Sequence, residues 1–309
     1  MSTNWTAEAL LTVVFTTGLQ ATAMPVVRPT MDDDQVQNVA LVTPESRVKR
    51  TTGTLGYLED TQGRIWCFSK SKLPPTNSPT ESYAKKNWYS IANASLAFEG
   101  NIVLLNKHAF FDDHDKIETP PENCFFEHLA TGEFIRGTKD LAYPFVRETL
   151  EHRDLNRTEN DVALWRIERA PSKPDLTVLR EKDLLIDWEP PYYTPLIVVS
   201  NYAENAPKDK FDKTVTNCFA RHPMVDKHGF LAYEFKSDCN TGKGSSGSLV
   251  FTDDGGPRKL VGMVRGESTR KKPGSGYDVD KLQTSIVRFQ KNILDLYDQL
   301  KKLSQTSER

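Results

Sequence analysis

The segment from Asn240 to Phe251 is a glycine- and serine-rich turn that runs straight into an apolar strand. Several chemistries use such a turn, and spacing separates them. A phosphate-cradling loop needs GxxxxGK[ST], but the one lysine here, Lys243, follows the first glycine, Gly242. A nucleophile elbow needs GxSxG, but counting from Gly244 the final position is Ser248. A GxSG turn remains, and Gly244-Ser245-Ser246-Gly247 supplies it. In that geometry the Ser246 hydroxyl projects from a tight bend. The N–H groups of Gly244 and Ser246 aim at a developing oxyanion. Glycines let the backbone bend and let a substrate carbonyl come close. Alone, the same pattern also describes an ordinary Gly/Ser loop.

A serine nucleophile needs a base and a group that orients the base. The chain has 6 histidines, so the search is short. His108 ends the apolar run Ile102 to His108, where it can line a cleft. His114 lies among Asp112, Asp113 and Asp115, the pattern of a solvated loop. His152, His222 and His228 lie in polar stretches, and His128, in Phe125 to Leu129, reads as a core or edge residue. Asp161 stands at the mouth of the apolar stretch Val162 to Ile167, where a lone buried charge is costly. Its structural alternative is a turn cap. Each motif has such an alternative. Together, in the order histidine, aspartate, serine, they make a set for acyl transfer.

Elements must position these residues. The 309-residue length suggests about two packing units at ~150 residues each. With 38% hydrophobic residues, including 15 Phe, 10 Tyr and 5 Trp, the chain can build a core. Short β-rich segments separated by turn residues follow one another: Thr52–Leu58, Asn101–Leu105, Gly132–Arg136, Asp161–Ile167, Pro195–Ser200, Gly229–Phe235, Gly247–Phe251 and Lys259–Val264. That pattern predicts an all-β sandwich or barrel and disfavours a doubly wound sheet. Lys70–Glu81, rich in Pro, Ser and Thr, reads as a surface loop. Trp188–Pro195 carries prolines that exclude a regular element and divides the strand-rich region into similar halves. Val279, Leu282, Ile286, Phe289, Ile293, Leu296, Leu300 and Leu303 recur at spacings of three and four, which predicts an amphipathic C-terminal helix. That stripe either docks on the protein's own core or supports self-association.

At this point the chain resembles the trypsin-like, two-barrel serine peptidases. Leu105-Asn106-Lys107-His108-Ala109 is similar to that family's histidine motif, Asn160-Asp161-Val162-Ala163-Leu164 to its aspartate motif, and Gly244-Ser245-Ser246-Gly247-Ser248 to its serine motif. Asp238-Cys239-Asn240-Thr241 resembles the bacterial and glutamyl-endopeptidase branch. The resemblance implies two packed six-stranded antiparallel barrels and a C-terminal helix. Residues 1–50 are then an N-terminal extension or pro-segment, 51–187 the first barrel, 188–277 the second and 278–309 the helix. It implies a serine endopeptidase with His108, Asp161 and Ser246 as triad, Gly244 and Ser246 as oxyanion hole, and no cofactor or metal. Asn240, Thr241, Val264, Arg265 and Glu267 would line the primary pocket. Asn240 replaces a pocket aspartate, while Glu267 and Arg265 pull specificity in opposite directions. Cys218 and Cys239 would form the bridge seen near the serine in several relatives. Ser245 stands where proteolytically activated members bear an aspartate, so activation through a new N-terminus is not expected. A catalytically silent homologue acting as an interaction module is the alternative.

The partners expected are therefore polypeptide substrates. Lys+Arg 40 against Asp+Glu 42 gives a net charge of −2, which argues against nucleic-acid binding. No apolar run reaches the ~18 residues of a membrane-spanning helix. No CxxC pair suggests a structural zinc site. Ala9–Phe15 followed by Ala21-Thr22-Ala23 looks like a secretory leader, but Glu8 precedes it and no Lys or Arg occurs before Arg28. Secreted and cytoplasmic locations both stay open. Asn4, Asn93 and Asn156 head glycosylation sequons, which matter only on export.

Overall fold

Strand-forming runs alternate their apolar side chains between two destinations, and that alternation builds the whole architecture. The computed structural model describes residues 48–49, 56–75, 78–111, 116–144, 161–201, 214–225, 231–239, 241, 244–267 and 284–307. All lie in the compact unit Ala40–Arg309.

The first barrel closes from strands β2 (Gln62–Cys67), β3 (Ser90–Leu96), β4 (Ile102–Leu105), β5 (Cys124–His128), β6 (Glu133–Ala142) and β7 (Ala163–Ile167), in the order β2-β3-β4-β7-β6-β5. The second uses β8 (Pro195–Ser200), β9 (Thr214–Val225), β10 (Leu231–Ser237), β11 (Leu249–Thr252), β12 (Leu260–Glu267) and β13 (Thr284–Arg288). Its order is β9-β10-β13-β12-β11-β8, closed by pairing of β8 with β9. A short strand, β1 (Val48–Lys49), adds to β9. Every pairing within both barrels is antiparallel.

The four residues of β4 are all fully buried because both faces of the strand are covered. Val103 and Leu105 face the first barrel's core with Phe110, Phe126 and Trp165. Ile102 and Leu104 face a separate cluster shared with the second barrel. Strand β8 does the same from the other side. Leu196 and Val198 pack with Phe235, Val250 and Val261 inside the second barrel. Ile197 and Val199 meet Ile102, Leu104 and Leu164 in the shared cluster. Period-two alternation thus sends every second residue into the seam, and the seam becomes the largest core. Trp165 fits beneath β6 because Gly137 has no side chain, and its Nε1–H donates to Thr138 O at 3.0 Å.

Two helices accompany the barrels among the described residues: α1 (Glu81–Asn87), capped by Thr80, and α2 (Asn292–Ser307). Ile293, Leu296 and Leu300 of α2 are buried in the shared cluster, so this helix docks on its own core. Tyr297 stacks on Phe98 at 4.6 Å and donates to Glu99 Oε1 at 2.7 Å.

The structure departs from the sequence expectations at several points. The helix begins at Asn292, and Ile286 of the predicted stripe lies in β13, which completes the second barrel beyond residue 277. The β-branched Thr284, Ile286 and Val287 favour a strand, and it binds β10 and β12 on its two edges. Phe289 is fully buried just after that strand, while Val279 and Leu282 lie outside the described residues. Of the strand expected over Thr52–Leu58, residues 52–55 lie outside the described residues, while Gly56–Thr61 is a 3-10 turn that leads into the strand beginning at Gln62. Lys70–Glu81 holds a 3-10 turn and the start of α1. The extension to residue 50 contributes β1 to the second barrel's sheet. Two disulfides form, the expected Cys218–Cys239 and also Cys67–Cys124, which staples β2 to β5.

Candidate active site

Residues at the ends of the first barrel's strands bring His108 and Asp161 together. His108 sits in a 3-10 turn just after β4, and Asp161 just before β7, which pairs with β4. His108 Nδ1 lies 2.6 Å from Asp161 Oδ2, and the His108 backbone N–H donates to Asp161 Oδ1 at 2.9 Å. Asn106 Nδ2 donates to the Asp161 carbonyl at 2.9 Å, locking the two segments side by side. Asp161 is 5% exposed, whereas the His108 side chain keeps 43% of its surface open. A buried carboxylate so held fixes the ring's tautomer and stabilises its protonated form.

The second barrel supplies the serine. Ser246 lies in the turn before β11, bracketed by Gly244 at φ 89° and Gly247 at φ 81°, both in the left-handed region that glycine adopts readily. The Ser245 carbonyl accepts the Ser248 N–H at 2.9 Å, and Gly247 N–H donates to Val264 O at 2.9 Å. Ser245, 1% exposed, donates through its hydroxyl to Thr241 O. From the first barrel, the Asn93 N–H donates to Ser246 O at 2.8 Å. The Ser246 hydroxyl itself donates to Arg265 O at 2.9 Å.

Arg265 ties the two halves together. Its Nε lies 3.6 Å from Asp161 Oδ2 and 3.4 Å from Glu234 Oε1. Glu234 is buried on β10, and burial pushes its carboxyl up to about 7 despite the nearby Arg265 charge. Burial also lowers the Lys236 ammonium, which donates to Ser285 Oγ. A partly buried charge cluster of Arg265, Glu234 and Lys236 thus stands behind the histidine–aspartate pair, with Glu234 its buried member.

The pocket residues expected from sequence fall into distinct settings. Val264 is fully buried in the second barrel's core and meets the serine turn through its backbone. Thr241, 2% exposed, is committed inward to Thr284 Oγ1 at 3.1 Å. Arg265 is held by carboxylates on two sides. Glu267 pairs with Thr284 through its backbone; its side chain and the whole of Asn240 lie outside the described residues. His114, His152 and His228 lie outside them as well, and His128 is fully buried on β5. Among the described residues no group of acidic, histidine and cysteine side chains could hold a metal ion.

Comparison of the whole fold with solved structures gives its family likeness. The chain superposes on a scabies mite inactivated protease paralogue with a TM-score of 0.52 at 14% identity, covering 82% of this chain and 99% of that one. It superposes on a Glu endopeptidase with a TM-score of 0.53 at 10% identity, covering 83% and 96%. The fold is that of the chymotrypsin-like serine proteases. No family model and no curated protein sequence matches the chain. One of these structures is named an inactivated paralogue, so the fold alone leaves activity open, and the side chains must carry that argument.

Proposed function

We propose that the protein is a serine endopeptidase in which His108, Asp161 and Ser246 act together. The observation that carries this reading is the 2.6 Å contact of His108 Nδ1 with the buried Asp161, made by a histidine whose side chain keeps 43% of its surface exposed. In the first step the Ser246 hydroxyl leaves its bond to the Arg265 carbonyl and passes its proton to His108 Nε2. The oxygen attacks the scissile carbonyl, and the N–H groups of Gly244 and Ser246 take up the oxyanion. Asp161 stabilises the imidazolium without taking its proton. His108 then protonates the leaving amine, and a water activated by the same ring hydrolyses the acyl-enzyme.

A non-catalytic interaction module is the second reading, and the bond from Ser246 Oγ to Arg265 O favours it, because a hydroxyl held there is not poised on a base. Labelling with a fluorophosphonate probe separates the two. The endopeptidase reading expects covalent labelling of the wild type and none of Ser246→Ala. Absence of labelling in both proteins overturns it.

A further inference from the structure

We infer that Asn93 is a positioning residue for the oxyanion-binding turn, a role that rests on the peptidase reading above. Asn93 lies on β3 of the first barrel, is fully buried, and reaches across the seam to the second barrel. Its side-chain Nδ2 donates to Gly244 O at 3.0 Å and to Ser246 O at 3.3 Å. Its own N–H takes Ser246 O at 2.8 Å. Its Oδ1 accepts the Asn201 N–H at 2.6 Å. That last bond fixes which end of the amide faces where: a backbone donor occupies the oxygen end, so the NH₂ end faces the turn. Asn201 is anchored in turn. Arg64 Nε donates to its carbonyl at 2.8 Å, and its Nδ2 donates to Gln62 Oε1 at 3.1 Å.

The consequence follows from peptide planarity. In a trans peptide the C=O and N–H point in opposite directions, so holding one aims the other. Asn93 holds the carbonyls of Gly244 and Ser246, which belong to the peptides on either side of the one bearing the Ser246 N–H. The middle peptide is held through Ser245 O by the Ser248 N–H, which turns the Ser246 N–H to the opposite side. The turn is bracketed by glycines, which sample both signs of φ and choose neither strongly. Its conformation is therefore set by its partners: Val264 within the second barrel holds the Gly247 N–H, and Asn93 reaches in from the first barrel to hold the carbonyls. Even the space is allotted: a Cβ on Gly247 would overlap the Asn93 carbonyl. No other side chain of this shape offers one acceptor to Asn201 and two donors to the turn.

The test measures fluorophosphonate labelling kinetics, which separate probe binding from the chemical step. Asn93→Asp keeps the shape and the acceptor for Asn201 but loses both donors. A positioning role predicts a maximal labelling rate roughly 10–100-fold below wild type, of the order seen when oxyanion stabilisation is weakened. The half-saturating probe concentration stays within about threefold, in a variant whose urea midpoint shows it folded. A labelling rate within threefold of wild type in the folded variant overturns the inference while leaving the peptidase reading intact. Wild-type protein that does not label overturns both. Should Asn93→Asp not fold, Asn93→Ala keeps the backbone N–H, adds no charge and is judged by the same rates.

Discussion

The two halves of the candidate site are held by different means. On the first barrel, two side chains meet directly, within 2.6 Å, at the ends of paired strands. On the second, Ser246 depends on a turn whose carbonyls are pinned one by one, and its hydroxyl is held by the backbone carbonyl of Arg265 on β12. The first half is a matter of residue type; the second is a matter of backbone direction. Side-chain chemistry leaves a mark in sequence, because only certain residues can do it. Backbone direction leaves little, because the groups that hold it lie far away along the chain and carry no local pattern.

Breaking the first half gives the largest expected effect. Asp161→Asn keeps the shape but leaves the imidazolium without its anion, and on the proposed mechanism it slows labelling by roughly 10⁴-fold. A loss under tenfold in a folded variant would place the base elsewhere.

The disulfides give the next comparison, since each barrel has its own. Cys67–Cys124 closes a separation of 57 residues and Cys218–Cys239 one of 21. Chain-entropy arguments assign about 4 and about 3 kcal/mol to closures of these lengths. Paired Cys→Ser variants, followed by urea unfolding, should therefore rank the first barrel's bridge as the more costly to remove. The reverse ranking would mean that local packing around Cys218–Cys239 outweighs loop length.

The charge cluster yields a pH prediction of up to about 3 kcal/mol. Glu234 is raised from 4.5 to about 7 by burial, so between those values the native state keeps a proton that the unfolded chain has released. Its contribution to stability is full below pH ~4.5 and is lost as pH rises through ~7. Glu234→Gln should match wild type near pH 4.5 and exceed it at pH 8, measured by urea midpoint. Equal midpoints at pH 8 would mean that the attraction to Arg265 fully offsets burial.

Legibility followed the same division. Strands β4, β8, β11 and β12 could be read from their apolar runs, because the seam covers one face of each and its own barrel's core covers the other. The order of histidine, aspartate and serine could be read because each sits beside such a run. β13 could not, because Ile286 and Phe289 satisfy a helical stripe as well as a strand and its approach, and only pairing with β10 and β12 decides. β2 could not, because Gln62 and Arg64 look like surface residues, yet their polar ends are spent inside the protein on Asn201. Asn93 was the hardest. Its sequence context reads as a glycosylation sequon, whereas the side chain is fully buried and faces carbonyls of the serine turn. Glu234 gave no signal, since its partner Arg265 lies on another strand.

The span between Asn93 and Ser246 has a consequence for the timing of synthesis. The two residues are 153 positions apart, and the serine turn leans on a strand made long before it. On the proposed mechanism, a nascent chain carries its base and carboxylate without a nucleophile. The nucleophile emerges last, and it gains its shape only when the second barrel closes onto the first. On that mechanism a half-made copy stays unarmed until the two barrels have closed on each other.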